Sequence, residues 1–135
     1  MPAELTAVSA GAFEAFAAAR SKDWAAAGAA VRQVTDAWSR YRRSADPPTM
    51  IGQRVDDAVA ALAGAVDRRR AGQAGQAAIE TARWSLDLQL QHRPVVEIDL
   101  ARFDLWCAQL LLDTANRDQA AVTGDLFAID YIRDR

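Results

Sequence analysis

The feature of this sequence that most limits its possible folds is a stripe: Trp24, Ala27, Val31, Val34, Trp38 and Tyr41 recur at alternating spacings of three and four. That spacing places all six on one side of an α-helix and fits neither face of a strand. Two indoles and a phenol ring gathered on one side give up much favourable burial if they stay in water, so the stripe predicts a helix packed against neighbours. Alanine, the residue that costs least to place in a helix, is abundant on both sides of it.

Residues 49–67 repeat the device with Val55, Ala58, Leu62 and Ala65, widened by Val59 and Val66, and leave Arg54, Asp56 and Asp57 on the opposite side. Between the two helices, Ser44-Ala-Asp-Pro-Pro-Thr49 forces a loop, because consecutive prolines remove backbone donors and push the preceding residues out of helical geometry. Helix signals divide the whole chain into six segments: Ala3 to Ala19, Ser21 to Arg43, Thr49 to Asp67, Ala71 to Gln91, Glu97 to Ala115 and Arg117 to Arg133. Asp36 and Arg40 lie four apart in the order that favours an ion pair.

The fifth segment is apolar around most of its circumference and keeps only a polar stripe of Asp99, Arg102, Gln109, Asp113 and Asn116, so it is expected at the centre. Asn116 is expected to cap the last helix with Gln119, and that helix to turn Val122, Leu126, Ile129 and Ile132 inward. Leu86 to Gln91 and Val95 to Leu100 alternate apolar and polar across Arg93-Pro94, as a β-hairpin would. The first run is built of Leu and Gln rather than β-branched residues and continues a helical stretch, so the helical reading is preferred.

The fold class is therefore all-α, with about six helices in three helical hairpins that begin near residues 3, 49 and 97. They are expected to close as a bundle, with a short solenoid-like stack as the alternative. At 135 residues the chain can bury one core, so residues 1–135 are read as a single domain.

Chemistry is sparse. A formal net charge of -2 gives no positive field to gather phosphates, which argues against nucleic-acid binding. Arg40, Arg42 and Arg43, like Arg68, Arg69 and Arg70, fall at helix ends, where cations offset the helix dipole. The single cysteine, Cys107, excludes an internal disulfide or a Cys-x-x-Cys pair, and Asp99, Arg102 and Asp104 interrupt the most apolar stretch before it could span a bilayer. The one histidine, His92, would have to serve any Ser-His-Asp or Cys-His mechanism, and nothing beside it supports one. Gly72 and Gly75 form an isolated Gly-x-x-Gly, read as a linker rather than a phosphate loop.

The most chemically mixed segment is His92-Arg-Pro-Val-Val-Glu-Ile-Asp99. His92, Glu97 and Asp99 are metal ligands in type, but their spacing matches no established motif, and a capping or salt-bridged turn accounts for them. Di-metal helix bundles require Glu-x-x-His, whereas the residue three before His92 is Gln89. The carboxylates Glu97, Asp99, Asp104 and Asp113 are read as solvated or paired with Arg93, Arg102 or Arg117. No catalytic, cofactor or metal site is assigned.

Lys22-Asp-Trp24, the second tryptophan at Trp38 and the closing acidic amphipathic helix resemble small exported helical proteins of bacteria, some anchored as lipoproteins. The resemblance implies an extracytoplasmic or lipid-anchored location, and the helical pattern starting just after Met1 and Pro2 suits a chain whose export signal has been removed. The His-x-x-Glu of metal-uptake helical bundles is missing, since Glu97 lies five residues after His92. The expected function is a non-enzymatic binding or protein-interaction domain. The alternatives are a small-ligand or metal-binding protein using residues 92–99, and a self-associating structural module joining a basic first half to an acidic second half.

Overall fold

The computed structural model describes residues 1–115 and 119–133. The elements are α1 (Ala3–Arg20), α2 (Trp24–Ser44), α3 (Thr49–Asp67), α4 (Ala71–Gln89), α5 (Val95–Ala115) and α6 (Gln119–Arg133), and among the described residues there is no strand. The protein is all-α. The second helix starts later than its sequence suggested because Asp23 caps it, its carboxylate accepting a bond from the Ala26 N–H at 3.1 Å. The fifth starts earlier, since Pro94 fits the entry to a helix and its carbonyl accepts from Glu97 and Ile98. The expected Asn116–Gln119 cap lies outside the described residues.

The turns inside the first two hairpins share one construction. Asp23 N–H reaches back to the Ala18 carbonyl at 2.9 Å and Lys22 N–H to Ala19 at 3.1 Å; Arg70 N–H reaches Ala65 at 2.9 Å and Arg69 N–H reaches Val66 at 3.0 Å. This is the Schellman closure, with Lys22 (φ 59°) and Arg69 (φ 54°) in the left-handed conformation. Arg68, Arg69 and Arg70 thus form the turn itself. Gly72 and Gly75 lie inside the first turns of α4 rather than in a linker.

Helix α1 packs on α2 and α4, while α3 packs on α2 and α4, so the first two hairpins close into a four-helix ring. A linear stack would not bring α1 against α4. The third hairpin lies outside this ring: α5 rests on α4, and α6 packs on α5. The expected place for α5 at the centre is therefore corrected. The enclosed helix is α4, which has α1, α3 and α5 around it and buries residues from Ala74 to Gln89, whereas α5 buries only Ile98, Leu105, Ala108, Gln109 and Asp113. Four helices that close on one another leave a fifth only their outer groove.

Small side chains dominate one half of the core, where Ala15, Ala19, Ala27, Ala30, Ala74 and Ala78 surround Leu62, with Phe16, Trp24 and Val31 packed against them. Larger ones fill the other half, where Leu5, Val8, Val34, Trp38, Tyr41 and Val55 meet. The stripe of α2 is inward as its spacing required. Its deepest indole is also tied at its polar edge: Trp38 Nε1–H donates to Asp56 at 2.7 Å, and Arg42 bonds the other oxygen of the same carboxylate at 2.7 Å. Asp36 and Arg40, both exposed, do not form the expected ion pair, which in water would gain little.

Close approach of α1 to α2 depends on Gly11. A Cβ there would meet Val34 Cγ2 at 2.6 Å and the Ala30 carbonyl at 3.4 Å, whereas one on Gly28 would meet nothing closer than the Arg32 guanidinium at 3.7 Å. Alanine gains about 1 kcal/mol over glycine inside a helix, while overpacking a tight contact costs roughly 1–3 kcal/mol. Gly28→Ala should therefore raise the denaturation midpoint and Gly11→Ala should lower it, in the same urea titration.

Candidate functional site

The segment singled out by sequence, residues 92–99, covers the end of the turn after α4 and the first residues of α5. Its backbone is held by His92 and Arg93 N–H groups donating to the Gln89 carbonyl at 2.9 and 3.1 Å. His92 itself is exposed. Arg93 bridges outward to Glu97 at 3.2 Å and inward to the Gln89 side-chain carbonyl at 2.8 Å. Gln89 is fully buried, and its amide nitrogen lies 2.6 Å from Ser9 Oγ, 3.2 Å from Ser85 Oγ and 3.4 Å from the Leu5 carbonyl. A polar chain thus runs from a surface carboxylate into the seam between α1 and α4. Each buried member has a partner, as a low-dielectric interior demands.

Asp99 is set beside a different arginine. Arg102 lies 3.8 Å from Asp99 and bonds Asp87 of α4 at 2.7 Å. The structure therefore does not bring His92, Glu97 and Asp99 together: Glu97 is turned to Arg93, Asp99 neighbours Arg102, and the imidazole stands in solvent. Among the described residues no three His, Cys, Asp or Glu side chains form a group that could hold a metal ion. The salt-bridged turn is what these residues build.

Further along α5, Gln109 of the polar stripe faces α4. Gln109 and Gln76 exchange side-chain amide bonds at 2.8 and 3.2 Å, and Gln109 also donates to Asp113 at 3.0 Å. Both Gln109 and Asp113 are buried, so Asp113 is not solvated, and its alternative partner Arg117 lies outside the described residues. Arg83 of α4 stacks over the Trp106 ring at 5.3 Å. Because α5 uses polar groups as well as Ile98, Leu105 and Ala108 to dock, part of its apolar surface is left facing outward.

That outward surface is the candidate site. Val95, Val96 and Leu100 are 55%, 65% and 64% exposed. With Asp99, Phe103 and, from the end of α6, Ile132 and Arg133, they line an open groove of ≈ 610 Å³. Leu111 (43% exposed) continues the same side of α5. On α6, Leu126 is 48% exposed rather than inward, Ile129 and Ile132 are half-buried, and the side chain of Val122 lies outside the described residues. A second cleft, ≈ 420 Å³, opens where Phe16, Gly75 and Leu112 meet, beneath Arg20 and Lys22.

Sequence reasoning missed the groove because it took an all-round apolar helix to be a surrounded one. The available signal was arithmetic of elements: the other helices mostly have partners of their own, so a helix apolar on every side has more apolar face than this chain can cover. Comparison with known protein families, with curated proteins and with solved structures finds no match to this chain.

Cys107 lies on α5 beside this surface, half-buried. Burial pushes its thiol pKa up, and the Asp104 carboxylate raises it further by disfavouring a second negative charge. The thiol therefore stays protonated to higher pH than a free cysteine, and only the thiolate alkylates. Iodoacetamide should modify Cys107 more slowly than free cysteine at pH 8, and Asp104→Asn should shift the rate profile to lower pH; an unshifted profile would contradict the assigned cause.

Proposed function

We propose that this protein is a non-enzymatic helical interaction domain, in which the closed four-helix ring is the scaffold and the α5–α6 hairpin presents an apolar groove to a protein partner. The observation that carries this reading is the distribution of exposed large apolar side chains. Among the described residues Val95, Val96, Leu100, Leu111, Leu126 and Tyr131 all belong to that hairpin, against Met1, Met50 and Leu90 elsewhere. Scattered apolar residues need no explanation, whereas a rimmed concentration on one element marks a contact surface.

A binding role is also supported by the state of the reactive groups. The lone imidazole is exposed at a turn, and the lone thiol is held protonated by its surroundings, so neither is arranged as an activated nucleophile with a base beside it. Among the described residues no helix is long and apolar enough to cross a membrane, so α5 is not apolar for that reason.

The reading is tested by a neutral polarity-sensitive dye, Nile red, titrated with the native protein. Fluorescence enhancement is expected, and a Val96→Ser/Leu100→Ser variant should lose most of it while its stability stays within about 0.5 kcal/mol of wild type, as for exposed substitutions generally. A loss of several kcal/mol on substitution would show that these side chains are core, and no enhancement in the wild type would show that the groove does not accept an apolar guest.

A further inference from the structure

We infer that the occupant of the α5–α6 groove is a basic amphipathic helix from another protein. The inference rests on the interaction reading above and adds the chemistry of the partner. Val96 and Leu100 line the groove, and Leu111, at the second cleft, lies on the same side of α5 with Cys107 between, so this side of the helix extends for about 22 Å at 1.5 Å per residue. It suits about four turns of a helix laid along it with its own apolar residues at spacings of three and four, the helix-in-groove mode of recognition. Among the described residues the protein offers no sheet edge, so an extended segment would find no backbone partners here.

Charge selects among helical partners. From Val95 to Arg133 the sequence carries seven carboxylates and three arginines, whereas its first seventy residues carry eight carboxylates and ten cations. Asp104, exposed and one turn beyond Leu100, borders the apolar stripe, and Glu97 stands at its start. Arg133 lines the groove and Arg93 bridges Glu97, yet the carboxylates of the hairpin outnumber its arginines, so its net negative charge draws in an apolar face flanked by Lys or Arg and repels one flanked by Asp or Glu. A second copy meets the groove poorly. Its own concentration of exposed apolar side chains sits on the same acidic hairpin, so hairpin-to-hairpin docking would set like charges against each other.

Two synthetic 18-residue helical peptides test this, identical in their leucine face and carrying either lysine or glutamate at every other position, each labelled for fluorescence anisotropy against the full chain. The lysine peptide is expected to bind at least tenfold more tightly than the glutamate peptide and to weaken as salt is raised. Leu100→Ser should weaken it at least tenfold, and Asp104→Lys should cut the preference at least threefold. Asp36→Lys, an exposed change of equal charge on α2, should leave the preference where it was. Equal binding of the two peptides, or an Asp36→Lys effect as large as that of Asp104→Lys, would overturn the inference. So would sedimentation of the protein alone as a dimer that Leu100→Ser dissolves, because the groove would then belong to a second copy. Nile red binding that survives any of these results leaves the interaction reading standing and removes only the basic partner; loss of Nile red binding removes both.

Discussion

Contact of α1 with both α2 and α4 is the constraint on which the rest of this structure depends. It closes the ring, and it is possible because α1 offers small side chains to both neighbours: Gly11, Ala15, Ala18 and Ala19 are buried, and Gly11 lies so close to Val34 that a methyl group would collide. Alanine contributes little apolar area per residue, so this half of the core gains from close approach and dispersion rather than from large buried side chains. Trp38, Tyr41, Leu5 and Val8 supply the larger burial at the other end. Once these four helices are closed, the third hairpin docks mainly on the outer side of α4, with Ala12, Phe13 and Phe16 of α1 sharing the apolar cluster.

The polar groups of α4 follow from that position. A helix packed on three sides needs more than an apolar stripe, and α4 divides its surface accordingly: Leu86 and Ile79 go to an apolar cluster with α5, Gln89 and Ser85 bind the α1 backbone, and Gln76 and Asp87 bond to α5. Pairing is complete along the Gln89 chain, so the seam pays little for its polarity while fixing the register of α1 against α4. On the α5 side the same strategy has a consequence for function. Each position of α5 given to a polar bond with α4 is one that does not bury apolar surface, and the remaining apolar positions look outward.

Much of this was legible in the sequence, in the places where one periodicity dominated. The α2 stripe named its buried side because Trp and Val recur at helical spacing, and Pro47-Pro48 marked the break between hairpins because neither residue can continue a helix. Equal spacing of the hairpins was visible as well, and the matched turns at Lys22 and Arg69 give it a structural basis. What was not legible was which helix the others surround. The Gln76–Gln109 bond was not foreseen, and Asp113 read as solvated or paired with arginine, because polarity in a sequence does not reveal whether the partner of a hydrogen bond is water or another side chain. The candidate turn at His92–Asp99 was found for its mixture of charges; the groove beginning beside it at Val95 and Val96 was hidden inside a run that two kinds of secondary structure could explain.

Division into a self-closed ring and an appended hairpin is the central claim, and native-state hydrogen exchange on the full chain measures it directly. Local opening energies report which segments unfold together. The account expects buried amides of α1, α2, α3 and α4 to share the free energy of global unfolding, with α6 and the outer side of α5 exchanging through a smaller opening that leaves the ring folded. A single opening energy common to α1 through α6 would contradict it, because the third hairpin would then be part of the same cooperative core.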